Sequence, residues 1–449
     1  MSRPAADLPS DSRIPAVPNV PGGTSVASQS AAASHPGPWY RQVTREQWRA
    51  FAAAYLGWML DGFDFTILTF LLVDIQRTFT INAALAGALG TATLLFRIVG
   101  GIGAGTAADR WGRKGPLMFS ILWYSVFAGL GGFSTSYTML FAFRVLFGIG
   151  MGGVWAAGMP LALEHWPAHL RGLASGLLQG GYPMGFILST IVYQLGRPFV
   201  AEHTAEPWRV MLWLGVLPAL MVLWIGRRVG ESPVWLARQR AMAEGTLSAS
   251  HGFSIARLFD AGLWRTTVHT SIVMAAFLFL YQAISFWYPT LLGRMGRQPL
   301  PFLVAFNAGA VLGNIICGRL SETALGRRGA VSVATLVGVS ALPFFAFPVS
   351  TVALMLGAAV MGAFATGNFG VMPGYLSERF PTAVRAGGAG FAYNVGAGLA
   401  SFAPSLIGAL VDRGMPLHIA MSWCIALSGV AVIVAMWFGP ETRGRTLTH

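Results

Sequence analysis

Phe51-Ala-Ala-Ala-Tyr55-Leu-Gly-Trp58-Met-Leu-Asp61-Gly-Phe-Asp64-Phe-Thr-Ile-Leu-Thr-Phe-Leu-Leu-Val73 reads as one apolar helix interrupted by two carboxylates. About 20 apolar residues cross the hydrocarbon core of a bilayer, so the stretch has the length of a membrane span. A charge near the bilayer centre costs about 2.5–3.5 kcal/mol on insertion scales, and such a group normally faces a protein interior, a partner or a water-filled path. Asp61 and Asp64 stand three positions apart and share one helix face. This helix is therefore the first place to look for function.

The rest of the chain has the same character. Of its 449 residues 54% are hydrophobic and only 10% are charged, where a soluble protein has about a quarter charged. The deficit puts most of the chain in membrane. The 56 glycines and 15 tryptophans agree, since glycine lets helices cross closely and tryptophan settles at the lipid interface. The formal net charge of +13 does not point to nucleic acid, because the arginines are dispersed among apolar spans. Cys317 and Cys424 fall within expected spans, which indicates neither a disulfide framework nor a Cys-based metal site. Residues 1–38 are rich in Pro, Ser and Ala and read as a disordered tail. The apolar run that follows far exceeds a cleavable leader and is expected to remain as a transmembrane helix.

Expected spans are 49–73, 83–108, 115–135, 138–161, 171–195 and 208–228, then 267–290, 301–320, 329–348, 351–375, 384–408 and 417–438. The fold class is thus all-α, with twelve transmembrane helices in two six-helix halves, 39–228 and 266–439. A cytoplasmic linker, 229–265, joins them, and 440–449 is a second tail. Arginine and lysine concentrate after the even-numbered spans, at Arg110, Arg113, Lys114, Arg227, Arg228, Arg327, Arg328, Arg379 and Arg385 among others. By the positive-inside rule those loops and both termini are cytoplasmic.

The halves echo one another. Gly105-Thr-Ala-Ala-Asp109-Arg110-Trp-Gly112-Arg113-Lys114 follows span 2, and Gly318-Arg319-Leu-Ser-Glu322-Thr-Ala-Leu-Gly326-Arg327-Arg328 follows span 8. Matching acidic, glycine and basic punctuation is the trace of an internal repeat, a common transporter plan with the substrate site at the midplane.

The Gly105 to Lys114 segment resembles the signature loop of the major facilitator superfamily, and Arg144-Val-Leu-Phe-Gly148-Ile-Gly150 resembles its fourth-span arginine motif. Glu231-Ser232-Pro233-Val-Trp235 and Pro440-Glu441-Thr442-Arg443-Gly444-Arg445 resemble terminal motifs of its metabolite and sugar branches. Trp39-Tyr40, Gly57 to Phe65, Arg97 and Glu164-His165-Trp166-Pro167-Ala168-His169-Leu170-Arg171 are similar to bacterial sialic acid:proton symporters. That branch and its relatives, carriers of lactate, other short carboxylates and aromatic acids, couple uptake of an organic anion to inward proton movement. The resemblance implies the major facilitator fold, a proton as the coupling ion with no other cofactor, and a place in the bacterial inner membrane.

An anion carrier must offer its substrate positive charge, and a proton-coupled carrier needs a group whose protonation changes with access. Like charges on one face disfavour simultaneous ionisation, so one of Asp61 and Asp64 can hold a transferable proton. The alternative is a pair locked structurally to Arg97 or Arg144. Arg144 matches the superfamily arginine associated with proton coupling; a bundle-stabilising bridge is the other reading. Arg97 is preferred for contact with the substrate carboxylate, which its planar fork can grip through two hydrogen bonds, or for a gating bridge. Gln179, Tyr182, Gln282, Asn307 and Asn394 are the preferred polar contacts, although helix-to-helix bonds would satisfy such groups as readily. Tyr281, Ser285, Asn314, Asn368 and Tyr393 are further candidates.

Gating is implied by the resemblance. Asp109, Arg110, Arg113 and Lys114 would bridge across the cytoplasmic side in the outward-facing state, with Glu322, Arg327 and Arg328 as the second-half counterpart and Glu378 and Arg385 as a further brace. His165 and His169 lack a compact set of partnering ligands, so no metal is expected. No coherent catalytic set points to an enzyme, and no nucleic acid partner is expected. The expected function is proton-coupled uptake of sialic acid or a related monocarboxylate by alternating access, by a functional monomer in contact with membrane lipid. An aromatic-acid or dicarboxylate symporter is the alternative, with a sugar carrier, a proton-driven exporter or a transport-like receptor further off.

Overall fold

The computed structural model describes residues 39–167, 170, 174, 177–244, 258–260, 262–347, 350–381 and 384–443. The 1–38 tail, part of the linker, the last tail residues, and Ala168, His169 and Arg171 lie outside the described residues, as does the side chain of Arg385. Of the described residues, 39–42 and those from Val43 onward belong to separate compact units. In the first, Trp39–Arg41 makes one turn of 3-10 helix.

The second unit opens with α1, Arg45–Phe79, which starts where Thr44 and Gln47 cap each other: the Thr44 hydroxyl accepts from the Gln47 N–H at 3.3 Å and the Gln47 side chain from the Thr44 N–H at 2.8 Å. Then come α2, Ala83–Trp111, capped by Asn82, and α3, Lys114–Gly131. They are followed by α4, Tyr137–His165, capped by Ser136, and α5, Gly181–Ala201. Among the described residues nine helical stretches are long and apolar enough to cross a membrane: Arg45–Phe79, Ala83–Trp111, Tyr137–His165, Pro207–Arg228, Trp264–Arg294, Pro299–Ser321, Thr351–Arg379, Gly388–Asp412 and Leu417–Phe438. Helices also stand at the other expected positions, as α3, α5 and Gly326–Ser340.

Four of the long stretches are broken, where the sequence suggested continuous spans. Pro207–Arg228 divides into α6, Pro207–Trp213, a 3-10 turn at Leu214–Val216, and α7, Ala219–Arg228, with Pro218 at its N-cap. The linker that follows contains a helix of its own, α8, Pro233–Ala243. Trp264–Arg294 divides into α9, Trp264–Ser285, and α10, Tyr288–Arg294, at Pro289. After α11, Pro299–Ser321, and α12, Gly326–Ser340, the short α13 spans Leu342–Ala346. Thr351–Arg379 runs as α14, Thr351–Val360, a π segment at Met361–Thr366, a 3-10 turn at Gly367–Gly370, and α15, Met372–Arg379. The last break separates α16, Arg385–Ala400, from α17, Ala403–Asp412, ahead of α18, Leu417–Phe438. Each break has a proline at the start of the continuing helix, where its missing N–H costs little but ends the ladder before it. Broken helices survive at membrane depth where the freed backbone groups are covered by protein or line a cavity.

Outward-facing apolar residues mark the lipid surface: Leu195 is 72% exposed, Leu336 63% and Phe438 84%. A soluble protein would not leave such a belt uncovered. Inside, α1 is the axis of the first helices, packed against α4 and α5, while α9 packs on α16 and α11 on the π segment. The two series meet most closely where the start of α2 lies on α17. There a Cβ added to Gly87 would strike the Pro404 carbonyl, and one on Gly408 the Ala83 carbonyl. Asp412 closes the seam, accepting from the N–H of Ala83 at 2.8 Å and of Ala84 at 2.7 Å. A carboxylate suits the positive end of a helix.

Candidate functional site: a central cavity and the charges behind its wall

The helices surround a cavity lined by Trp58, Arg97, Gln179 and Tyr182 from the earlier helices and by Tyr281, Gln282, Phe306, Asn307, Asn314, Thr366, Phe369 and Tyr393 from the later ones. Aromatic rings from both series of helices stand in its wall. Trp58 packs on Tyr182 at 5.2 Å between ring centroids and on Trp155 at 4.9 Å. Trp155 in turn stacks on Tyr393 at 6.4 Å, across from the earlier helices to the later ones. Tyr281 meets Phe369 edge-on at 5.4 Å. The π segment and the 3-10 turn supply Thr366 and Phe369, so the break in that stretch shapes the wall.

Arg97 is the cation of this wall. Its guanidinium lies 4.9 Å from the centre of the Trp58 ring, and its Nη2 has no hydrogen-bond partner in the protein. The indole face fixes the plane of the fork. Gln282 Oε1 and Asn314 Oδ1 are also buried without partners. Of the residues preferred from sequence, Arg97, Gln179, Tyr182, Gln282 and Asn307 line the cavity, and the Asn307 Nδ2 donates to the Leu303 carbonyl at 2.9 Å. Asn394 does not line it; its Nδ2 donates to the Gly390 carbonyl at 2.8 Å, within its own helix. Sequence reasoning missed Trp58, Phe306 and Phe369, because an aromatic residue in an apolar span looks the same whether it faces lipid or a cavity.

Asp61, Asp64 and Arg144 are fully buried and lie behind the wall rather than on it. Arg97 is the charged neighbour of Asp61, and Arg144 that of Asp64. None of the carboxylate oxygens has a hydrogen-bond partner, and neither do the Nη atoms of Arg144, whose guanidinium rests 5.2 Å from the Phe147 ring. The direct bridges that would lock either aspartate to an arginine are absent. Their nearest opposite charges in the protein are therefore neighbours without a hydrogen bond: Arg97 for Asp61 and Arg144 for Asp64.

At the Asp109 end of the helices stand two matching charged networks. Arg113 pairs with Asp109 at 2.6 Å and with Glu164 at 3.3 Å. Glu164 accepts the Ser232 hydroxyl, and Glu231 accepts the backbone N–H of Arg113 at 2.7 Å and of Lys114 at 3.1 Å. In the second network Arg327 pairs with Glu322 at 2.7 Å and with Glu378 at 2.8 Å. Glu378 accepts the Thr442 hydroxyl at 2.6 Å, and Glu441 accepts the backbone N–H of Arg327 at 2.8 Å and of Arg328 at 3.1 Å. Sequence reading named Asp109, Arg113, Glu322, Arg327 and Glu378 for gating but left out Glu164, Glu231 and Glu441. The repeated Glu-Ser and Glu-Thr pairs at 231–232 and 441–442 were the available signal. Lys114 Nζ donates to the Gly226 carbonyl at 2.9 Å, Arg110 stacks on the exposed Trp111, and Arg328 Nη1 donates to the Gly439 carbonyl at 3.0 Å. All these bonds stay within one series of helices; the bridge expected from sequence belongs to an outward-facing state.

Glu441 lies outside the spans. Burial would push its carboxyl up, but the backbone N–H groups of Arg443, Arg327, Arg328 and Thr442 outweigh that and hold it below its ordinary value.

A family model described as Major Facilitator Superfamily matches residues 54–404. The chain is 33% identical over 415 residues to a probable 4-methylmuconolactone transporter of Cupriavidus pinatubonensis, covering 90% of this chain and 93% of that protein. It is 30% identical to the sialic acid transporter NanX of Escherichia coli, over 82% of this chain and 88% of the relative. It is 29% identical to the cis,cis-muconate transport protein of Acinetobacter baylyi, over 83% and 90%. The inward-open xylose transporter XylE of Escherichia coli has the same fold, with a TM-score of 0.71 at 21% identity across 89% of this chain and 98% of that one.

Proposed function

Because the chain belongs to the Major Facilitator Superfamily and is a multi-pass membrane protein, we propose that it takes up a small, flat organic acid anion together with a proton by alternating access. The observation that carries this reading is Arg97: one guanidinium, laid on Trp58, in a cavity otherwise walled by aromatic, amide and aliphatic side chains. A carboxylate pairs with the fork while an unsaturated or aromatic body lies against Trp58, Tyr182, Tyr281 and Phe369. Relatives named for 4-methylmuconolactone and cis,cis-muconate point the same way.

The mechanism uses the buried charges. A proton reduces the charge of the Asp61/Asp64 pair, the anion binds at Arg97, and the loaded carrier turns inward. Release of both resets it. In this reading the helices make twelve crossings in two six-helix halves, with the basic loops and both termini cytoplasmic, and the protein works as a monomer in a bacterial inner membrane. The Asp109 and Glu322 networks brace the cytoplasmic ends of each half.

A second reading is a polyhydroxylated acid such as sialate. Gln179, Gln282, Asn307 and Asn314 on the wall favour it, as amides bond hydroxyls, and one relative is named for sialic acid. Uptake of labelled benzoate, muconate and sialate into proteoliposomes under an imposed inward proton gradient separates the two. The flat-acid reading expects gradient-dependent accumulation of the planar acids and weak competition by sialate; accumulation of sialate alone would overturn it.

A further inference from the structure

Helices α9 and α18 pack side by side, and a groove runs between them on the outer surface, apart from the central cavity. Trp264, Arg265, Val268, His269 and Ile272 of α9 line one side, and Ala435 and Phe438 of α18 the other. The groove lies at the end of the molecule that holds the Arg327 network, since Arg328 Nη1 donates to the carbonyl of Gly439, the residue after α18. Trp264, Val268 and Ile272 recur every four residues and so form a stripe about 12 Å long on one face of α9. All three are exposed, as is Phe438. His269 makes the floor: its Nε2 donates to the Ala435 carbonyl at 2.9 Å and ties the two helices together. Arg265 stands at the rim, with its guanidinium 5.5 Å from the centre of the Trp264 ring. Among the described residues it has no carboxylate partner. Arg379, from α15, is the charged neighbour of His269 and adds a second positive charge near the groove.

The depth of the groove decides what fills it. Its stripe begins at a tryptophan, a residue that settles at the lipid interface, and continues down a stretch long and apolar enough to cross a membrane. Lipid tails therefore cover Val268, Ile272 and Phe438, and the guanidinium at the rim lies at headgroup depth. We propose that this groove binds one anionic phospholipid, with an acyl chain along Val268, Ile272 and Phe438 and the phosphate on Arg265. Charge complementarity selects the headgroup. A zwitterionic lipid brings an ammonium that competes with the arginine for its own phosphate, whereas a glycerol headgroup leaves the phosphate to Arg265. Basic recesses between spans hold anionic headgroups for the same reason. The inference concerns the membrane face and holds whichever acid the cavity accepts.

The test is native mass spectrometry of the full chain released from micelles that contain equal amounts of phosphatidylglycerol and phosphatidylcholine with the same acyl chains. Wild type should retain phosphatidylglycerol as its first bound lipid about fivefold over phosphatidylcholine, the size of one arginine near an anionic surface. Arg265→Gln should bring that ratio close to one. Arg240→Gln, which removes an exposed arginine of α8, should leave it as in wild type. Val268→Trp fills the groove without touching charge and should lower retention of the first lipid of either kind. Glycerol phosphate carries the headgroup charge without the chains and should not displace the lipid. A wild-type ratio near one, an equal fall in both arginine variants, or undiminished retention in Val268→Trp would overturn the inference. Displacement by glycerol phosphate would overturn it too, because the groove would then be a site for free anions.

Discussion

Arg97 shows what one side chain can settle. A guanidinium in an apolar setting cannot shed its proton, so it must find an anion, a dipole or a π face. Here it takes the Trp58 face, and its buried Nη2 has no hydrogen-bond partner in the protein. Arg97→Gln should weaken anion binding by about 10- to 100-fold, the scale of losing a hydrogen bond to a charged group, measured by titration calorimetry on folded protein. Arg97→Lys should recover part of that loss, since charge is kept while the planar fork and its stacking are lost. Equal affinity in wild type and Arg97→Gln would move the substrate contact elsewhere. That Arg97 needs a partner was readable from its place in span 2; that the partner is a tryptophan one helix away was not, because nothing in the sequence pairs position 58 with position 97.

Between elements, two devices hold the molecule in the state described, and each sits at a helix start. At one end Glu231 and Glu441 cap the starts of α3 and α12 through backbone N–H groups. Because the Glu441 carboxyl is held below its ordinary value of 4.5, its contribution is fully present above that value and is lost as pH falls through the lower, folded one. The difference in thermal stability between wild type and Glu441→Gln in detergent should therefore be flat from pH 8 to about pH 5 and shrink below it; a gap that widens on acidification would contradict this. At the other end the seam of α2 and α17 depends on Gly87 and Gly408 as well as on Asp412. Replacing Gly408 by Leu should force the seam apart. Overpacking of about 1–3 kcal/mol changes a two-state ratio by about 5- to 150-fold, and spin labels on the adjoining ends of the two helices should report the longer distance. An unchanged distance distribution would show that the seam does not set the state.

For the whole molecule, the arrangement of charge predicts an energetic signature. Under the proposed function a proton and a monoanion move together, so a one-to-one cycle carries no net charge and the membrane potential adds little. Proteoliposomes given a potential of about 100 mV without a pH difference should accumulate almost nothing, although a single moving charge would be worth about 2.3 kcal/mol there. Strong accumulation under potential alone would require more protons than anions.

How much of this was legible in sequence depends on the range of the interaction. Hydropathy and arginine placement are local properties, and they sufficed for an all-helical membrane chain, for the oddity of Asp61 and Asp64, and for the charged motifs that recur after Gly105 and Gly318, while the major facilitator plan came from the resemblance of those motifs. The repeat even contained the Glu-Ser and Glu-Thr caps in outline. Helix breaks were readable only in part: the prolines at 218, 289, 373 and 404 were visible, but a proline inside an apolar run does not say whether the helix kinks or stops. Which face of each helix turns inward, and so the aromatic wall and the exclusion of Asn394, was decided by tertiary packing. In a bilayer both the lipid and the bundle interior are apolar, so hydrophobicity marks depth and leaves direction to the shapes that fit.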